Sequence, residues 1–281
     1  QHQFEELDGY SLDGRAREAR IYLAAPVNLA ELEQDQPSLF SEREEAVWHE
    51  QRGTVVLRQV RTLGQLVLAE KELGKPDPQH IQQALLDAVR QKGLNSLPWN
   101  DSARQWQARV QLLAREFPGD WPQVDDNALL ANVSDWLLPY LAGVQRWSDL
   151  QRLELRTALN SLLNYSQQQQ LSQLAPTTLE IPTGQQVQLD YLAENGPVLA
   201  AKLQALFGWT QTPRVAGGKV PVVIHLLSPA QRPLAVTADL DNFWRNVYPE
   251  VRKDNRGRYA KPPWPEDPLT ATAQQGVKKR S

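Results

Sequence analysis

The chain has 281 residues, 41% of them apolar and 22% charged, with 30 Lys+Arg against 33 Asp+Glu for a formal net charge of −3. That length accommodates one large or two modest domains, and the bulk charge gives no sign of a dedicated nucleic-acid binder. Cysteine is absent, which excludes disulfide scaffolds, cysteine nucleophiles and thiolate metal sites. The four histidines, at positions 2, 49, 80 and 225, stand apart and argue against a histidine metal site. No apolar run reaches the roughly 18 residues that a membrane helix needs. The acidic start Gln1-His2-Gln3-Phe4-Glu5-Glu6 lacks the basic-then-apolar order of a secretion signal. With no methionine anywhere, the simplest expectation is a fragment of a longer chain.

Residues 1–75 read as strands and loops. Ile21 and Leu23 share one face of a possible strand within 19–25, and Val55-Val56-Leu57 and Leu66-Val67-Leu68 are aliphatic runs punctuated by Gly53 and Gly64. The pattern predicts a small antiparallel sheet or barrel. Gly74-Lys75-Pro76-Asp77-Pro78 is a break and the expected domain boundary.

Residues 76–175 read as a helical bundle. Asp77 caps a helix with Pro78 at its first position, the stripe Ile81, Ala84, Leu85, Ala88 and Val89, and Gly93 as its stop. A second stripe is Ala103, Trp106, Val110, Leu113 and Phe117, closed by Pro118-Gly119. A third helix follows Asp125 with Leu129, Leu130, Val133, Trp136 and Leu137; a fourth runs over 148–163; a short fifth covers 167–174. Residues 176–268 read as a mixed α/β module. Val187, Leu189 and Tyr191 alternate as in a half-buried strand, 197–207 is predicted helical, and Ala216-Gly217-Gly218-Lys219 is predicted to turn a hairpin. Thr237 is expected to cap a helix carrying Leu240, Phe243, Trp244 and Val247, and 269–281 to form a disordered tail. The fold class expected is therefore α+β: a partial OB-like β-module, a central helical bundle and a mixed C-terminal module with a basic tail.

Sites for covalent or nucleotide chemistry do not emerge. Gly217-Gly218-Lys219-Val220 lacks the earlier glycine and the following Ser or Thr of a phosphate loop, since Pro213 and Val220 stand in those places. The acid pairs Glu5-Glu6, Glu44-Glu45, Asp125-Asp126 and Glu266-Asp267 read as exposed or, for Asp125-Asp126, as a helix start. His225 reads as a strand histidine rather than a catalytic one. No catalytic residue, cofactor site or metal site is assigned.

Charge is uneven along the chain. Residues 1–50 hold 12 acids and 4 bases, a net of −8, and 241–281 hold 9 bases and 5 acids, a net of +4. Such segments neutralise each other, meet partners or stay solvated. In the tail the bases mix with aromatics: Arg245, Arg252, Lys253, Arg256, Arg258 and Lys261 suit phosphates, and Tyr259 or Trp264 suits stacking on an unpaired base. The competing reading is that Phe243, Trp244 and Trp264 anchor the tail in the core while the bases stay in water.

Several strings make a family resemblance specific. They are Ser228-Pro229-Ala230-Gln231-Arg232-Pro233-Leu234, Asp239-Leu240 with Phe243-Trp244, Tyr248-Pro249-Glu250-Val251-Arg252-Lys253, Arg256-Gly257-Arg258-Tyr259 and Trp264-Pro265-Glu266-Asp267-Pro268. Upstream, Gly93-Leu94 with Leu97-Pro98-Trp99, Asp135-Trp136-Leu137-Leu138-Pro139 and Gly217-Gly218-Lys219-Val220-Pro221 also fit. The sequence resembles the C-terminal region of the HrpB family of bacterial DExH-box ATP-dependent helicases. One departure is local: the family pattern is expected to carry Pro and His where this chain has Ala260 and Pro262.

The resemblance implies a region that follows two RecA-like motor domains, with 1–75 as part of an OB-like module; only three or four of an OB barrel's roughly five strands are visible. It implies ATP and Mg for the motor and none for this chain, motor domains in cis and single-stranded RNA or DNA as partners, no membrane, and a cytoplasmic setting. Two functions stay open: a non-catalytic accessory region that supports the motor and guides single-stranded nucleic acid, or a protein-interaction module docking without RNA contact.

Overall fold

The computed structural model describes residues 26–275 and, before them, the backbone of two short strands, β1 (Gln3–Phe4) and β2 (Ala24–Ala25), which pair antiparallel. The expected strand face of Ile21 and Leu23, the pair Glu5-Glu6 and the basic end at 278–281 lie outside the described residues. The architecture is mixed α+β. It divides into two compact units, Gln1–Leu85 with Gln145–Trp147, and Leu86–Val144 with Ser148–Ser281. No helix among the described residues is long and apolar enough to cross a membrane.

In the first unit, helix α1 (Leu29–Asp35) starts at Asn28, whose side chain accepts from the Ala30 N–H at 3.0 Å. A three-stranded antiparallel meander follows: β3 (Phe40–His49), β4 (Thr54–Leu63) and β5 (Leu66–Glu72). Gly53 and Gly64 both take φ +56°, the left-handed conformation that tight hairpin turns require, and Leu63 faces Leu66 across a two-residue turn. Sequence reading marks β4 and β5 but neither α1 nor β3. Strand β3 is dense in charge, and only the register explains it. Glu45 lies opposite Arg58 and Glu42 opposite Arg61, so acids alternate with the bases of the central strand.

Helix α2 (Pro78–Lys92), inside which the division falls, begins as its sequence predicts. Asp77 Oδ1 accepts from the Gln79 N–H at 3.1 Å, and Gly93, at φ +90°, follows the end. In the second unit, α3 (Asp101–Glu116) is capped by Asn100, which accepts from the Ala103 N–H at 2.9 Å, and it buries Ala103, Trp106, Val110 and Leu113 as the stripe predicts. The third predicted helix is two, α4 (Asp126–Ala131) and α5 (Val133–Leu137), because Asn132 leaves helical geometry at ψ 17°. The fourth is also two, α6 (Trp147–Leu150) and α7 (Leu155–Asn160), separated by a turn at 151–154. The fifth, α8 (Tyr165–Leu174), opens with a reciprocal capping box between Asn164 and Gln167.

The remainder is a five-stranded mixed sheet in the order β12-β11-β8-β7-β6. Its strands are β6 (Thr178–Glu180), β7 (Gln186–Asp190), β8 (Val198–Lys202), β11 (Val223–Leu227) and β12 (Pro233–Thr237), with the small hairpin β9 (Arg214–Val215) and β10 (Val220–Pro221) between β8 and β11. The helix predicted over 197–207 is instead β8 and a 3-10 turn, Leu203–Leu206. Its Leu-Ala-Ala composition favours helix locally. The segment nevertheless lies between β7 and β11, pairing antiparallel with one and parallel with the other, and that pairing buries Val198, Leu199 and Ala201.

After β12 comes a long interrupted helix: α9 (Leu240–Asn242), a π-helical segment Phe243–Val247, and α10 (Tyr248–Asn255). Its cap is Asp239, accepting from the Asn242 N–H at 3.0 Å, rather than Thr237, whose hydroxyl braces Asp239 itself. The widened segment ends two residues before Pro249, whose ring crowds the carbonyl four residues back and offers no N–H.

Candidate nucleic-acid interface

The basic tail is held by an aromatic cluster under α9 and α10. Trp244, 2% exposed, lies 5.8 Å from the Phe207 ring and 5.5 Å from Tyr248, and its indole N–H donates to Trp209 O at 2.8 Å. The segment after α10 is rich in proline, so its backbone has few donors and must be held through carbonyls. Tyr248 Oη donates to Pro265 O at 2.6 Å, Arg252 Nε to Trp264 O at 2.7 Å, and Gln204 Nε2 to Pro263 O at 3.4 Å. Trp264 Nε1 donates to Tyr259 O at 2.8 Å, and the Gly208 N–H to Pro268 O at 2.9 Å. Burial pushes the Tyr248 phenol up to about 12, so it stays a donor at neutral pH.

The six predicted phosphate contacts separate into two kinds. Arg245 is spent on Asp241, one turn back at 3.1 Å. Arg252 is half-buried, latches the proline segment, and has Glu266 at 3.9 Å. Lys253, Arg256, Arg258 and Lys261 are exposed, and among the described residues none has a carboxylate in ion-pair range. They gather at the end of α10 and the turn after it. The Arg258 guanidinium stands 5.6 Å from the Tyr259 ring. Tyr259 and Trp264 are half-buried, so each presents part of a ring rather than a free face.

Gly217-Gly218-Lys219 is the turn of the β9–β10 hairpin, with Ala216, Gly217 and Gly218 at φ 55°, 64° and 85°. Lys219 Nζ donates to Glu116 O at 3.0 Å at the end of α3 and sits 4.4 Å from the Phe117 ring. A lysine engaged in this way caps a helix C-terminus. Asp125 is the α4 cap, and Asp126 accepts from Arg104 and Gln107 at 3.0 and 2.8 Å. Among the described residues two carboxylates are displaced in pKa, both downward. Glu45 is held low by its hydrogen bond from Arg58, and Asp267 by hydrogen bonds from Thr270 and Leu269. That is opposite to what a general acid needs. His225 sits mid-strand in β11, between Ala200 of β8 and Val236 of β12. Among the described residues no group of three or more metal-ligating side chains gathers.

Comparison with known proteins agrees with this architecture. Residues 136–268 match the family model described as "ATP-dependent helicase C-terminal". The chain is 40% identical over 265 residues to the ATP-dependent RNA helicase HrpB of Escherichia coli K12, a match covering 94% of this chain and 33% of that protein. The crystal structure of the E. coli DExH-box NTPase HrpB aligns with a TM-score of 0.70 at 40% identity, covering 91% of this chain and 32% of that one. A structure of E. coli DEAH/RHA helicase HrpB aligns with a TM-score of 0.62 at 36% identity, covering 87% and 30%. The chain thus spans about a third of the length of the relatives it matches.

Proposed function

From a chain whose residues 136–268 carry the C-terminal domain of HrpB-type helicases, we propose a non-catalytic accessory region that supports a helicase motor in cis and contacts single-stranded nucleic acid. In this reading ATP and Mg belong to the motor domains, the setting is cytoplasmic, and the β3–β5 meander is part of an OB-like module. One observation carries the contact. Lys253, Arg256, Arg258 and Lys261 form an exposed cationic group that meets no carboxylate in ion-pair range among the described residues, on a scaffold held by buried aromatics. Exposed cations free of partners can release the counter-ions of a phosphate backbone at no cost in broken ion pairs.

The test is fluorescence polarisation of labelled single-stranded RNA at low and raised salt. The wild-type chain is expected to bind at low salt and weaken as salt rises. The triple variant Lys253→Glu, Arg256→Glu, Arg258→Glu is expected to lose binding with its thermal midpoint unchanged. Arg252 is left intact because its loss would unlatch the proline segment and confuse the readout. Absence of low-salt binding, or full binding by the triple variant, refutes the contact; retained RNA binding with lost motor association would favour a protein-docking role for the same cations.

A further inference from the structure

Arg109, near the middle of α3, is 3% exposed, yet no carboxylate among the described residues pairs with it. Its Nε donates to Ala175 O at 2.6 Å and its Nη2 to Leu171 O at 3.4 Å, the carbonyls at the end of α8. These carbonyls carry the negative end of the helix dipole, which offsets only part of a buried full charge. Nη1 has no hydrogen-bond acceptor among the described residues. No wholly buried side-chain nitrogen or oxygen among the described residues lacks a partner, so Nη1 must open to solvent. Arg109 lines a cavity of about 530 Å³ whose wall also carries Arg156 of α7 and the hydroxyl residues Ser102, Thr157 and Ser172. Arg156 donates to Ser102 Oγ at 3.2 Å. The wall carries one acid, Glu154, against the two guanidiniums. Burial and the proximity of Arg156 draw the Arg109 guanidinium down to about 10, which leaves it charged at neutral pH.

We infer that this cavity, between α3, α7 and α8, is a phosphate-binding site in which Arg109 and Arg156 hold the anion and the surrounding hydroxyls complete its hydrogen bonds. Guanidinium forks match phosphate oxygens in geometry, and a tetrahedral oxyanion uses more donors than a carboxylate can. A bound anion would also supply the counter-charge that buried Arg109 lacks. The site is separate from the exposed cations after α10.

Two sources share this chemistry, free phosphate and the terminal phosphate of a nucleic acid. Calorimetric titration of the whole chain with inorganic phosphate, against chloride at equal ionic strength, tests the first. A 5′-phosphorylated RNA trinucleotide, against its 5′-hydroxyl form, tests the second. At least one phosphate ligand is expected to bind saturably above its control, and Arg156→Ala, an exposed position, is expected to weaken it tenfold or more. Binding is expected to survive the Lys253, Arg256, Arg258 triple variant, which separates this site from the tail. Tighter binding of the phosphorylated RNA than of inorganic phosphate would assign the site to a nucleic-acid end, and the reverse would assign it to free phosphate. No binding above either control, unchanged affinity in Arg156→Ala, or loss with the tail variant would overturn the inference.

Discussion

Arg252 illustrates how a residue that reads as a ligand for something outside can be committed inward, and Tyr248 works beside it. Both lie in the string that makes the family resemblance specific, and both donate to carbonyls of the proline segment. Ser228 behaves likewise: fully buried, its hydroxyl accepts from the Ala230 and Arg232 N–H groups and shapes the β11–β12 turn, where Gln231 takes φ 64°. Tyr248→Phe should cost about 1 kcal/mol, the usual net value of one hydrogen bond, read from urea denaturation at pH 7. The phenol's pKa is raised in the folded state, from 10.0 to about 12. Its contribution is therefore complete below pH 10 and lost as pH rises towards 12. The urea midpoint of the wild type should fall over that window, and the Phe variant should fall less. Glu45 shows the opposite sign. Its folded pKa is lowered, so its stabilising effect is present at neutral pH and fades as acid protonates it. Glu45→Gln should therefore flatten the acid limb of a melting-temperature profile.

At the scale of elements, the helix that the sequence locates best is the one with both a cap and a stop: Asp77 and Gly93 bracket α2 closely. For α3 the sequence marks the stripe and the stop at Pro118-Gly119, and the structure adds the cap, Asn100. Where the stripe comes without a stop signal, after Asp125 to Leu137 and over 148–163, one helix is expected and two short ones occur, because a stripe constrains the buried face and not the continuity of backbone hydrogen bonds. Asn164→Ala removes the capping box of α8 and should cost about 1 kcal/mol by thermal denaturation. The first unit's meander depends on charge in a similar way. Arg58 bridges Glu45 at 2.6 Å and Glu70 at 3.3 Å, linking β3 to β5 across β4, while Arg61 pairs with Glu33. Exposed pairs are each worth about 0.2–1 kcal/mol. Arg58→Met should therefore lower the first unit's stability by no more than about 1–2 kcal/mol, by an amount that shrinks in high salt.

Over the whole molecule, the acid surplus near the start and the base surplus near the end are handled differently. Among the described early acids, Glu33, Glu42 and Glu45 find arginines on β4. Among the described residues Lys253, Arg256, Arg258 and Lys261 have no such answer, which makes the tail the better candidate for an external partner. Of the eight residues singled out in the sequence, Lys253, Arg256, Arg258 and Lys261 are exposed. Arg245 and Arg252 are engaged inside the protein, and the rings of Tyr259 and Trp264 are half-covered. The Arg109–Arg156 cavity was not legible beforehand: the two residues are 47 positions apart on different helices, and nothing in either neighbourhood announces a shared wall.

Sequence by itself determined the mixed α+β composition, the well-capped helices, the glycine turn before Lys219 and the likeness to a helicase C-terminal region. Each of these rests on short-range chemistry: a side chain reaching the next turn, a positive φ, or a distinctive string. Tertiary structure alone decided that 198–202 is a strand, that Arg252 latches the proline segment, and which cations meet no carboxylate among the described residues. Those outcomes depend on what the surrounding fold places beside each residue, and pairing energies between distant segments outweigh the local preference of a few residues.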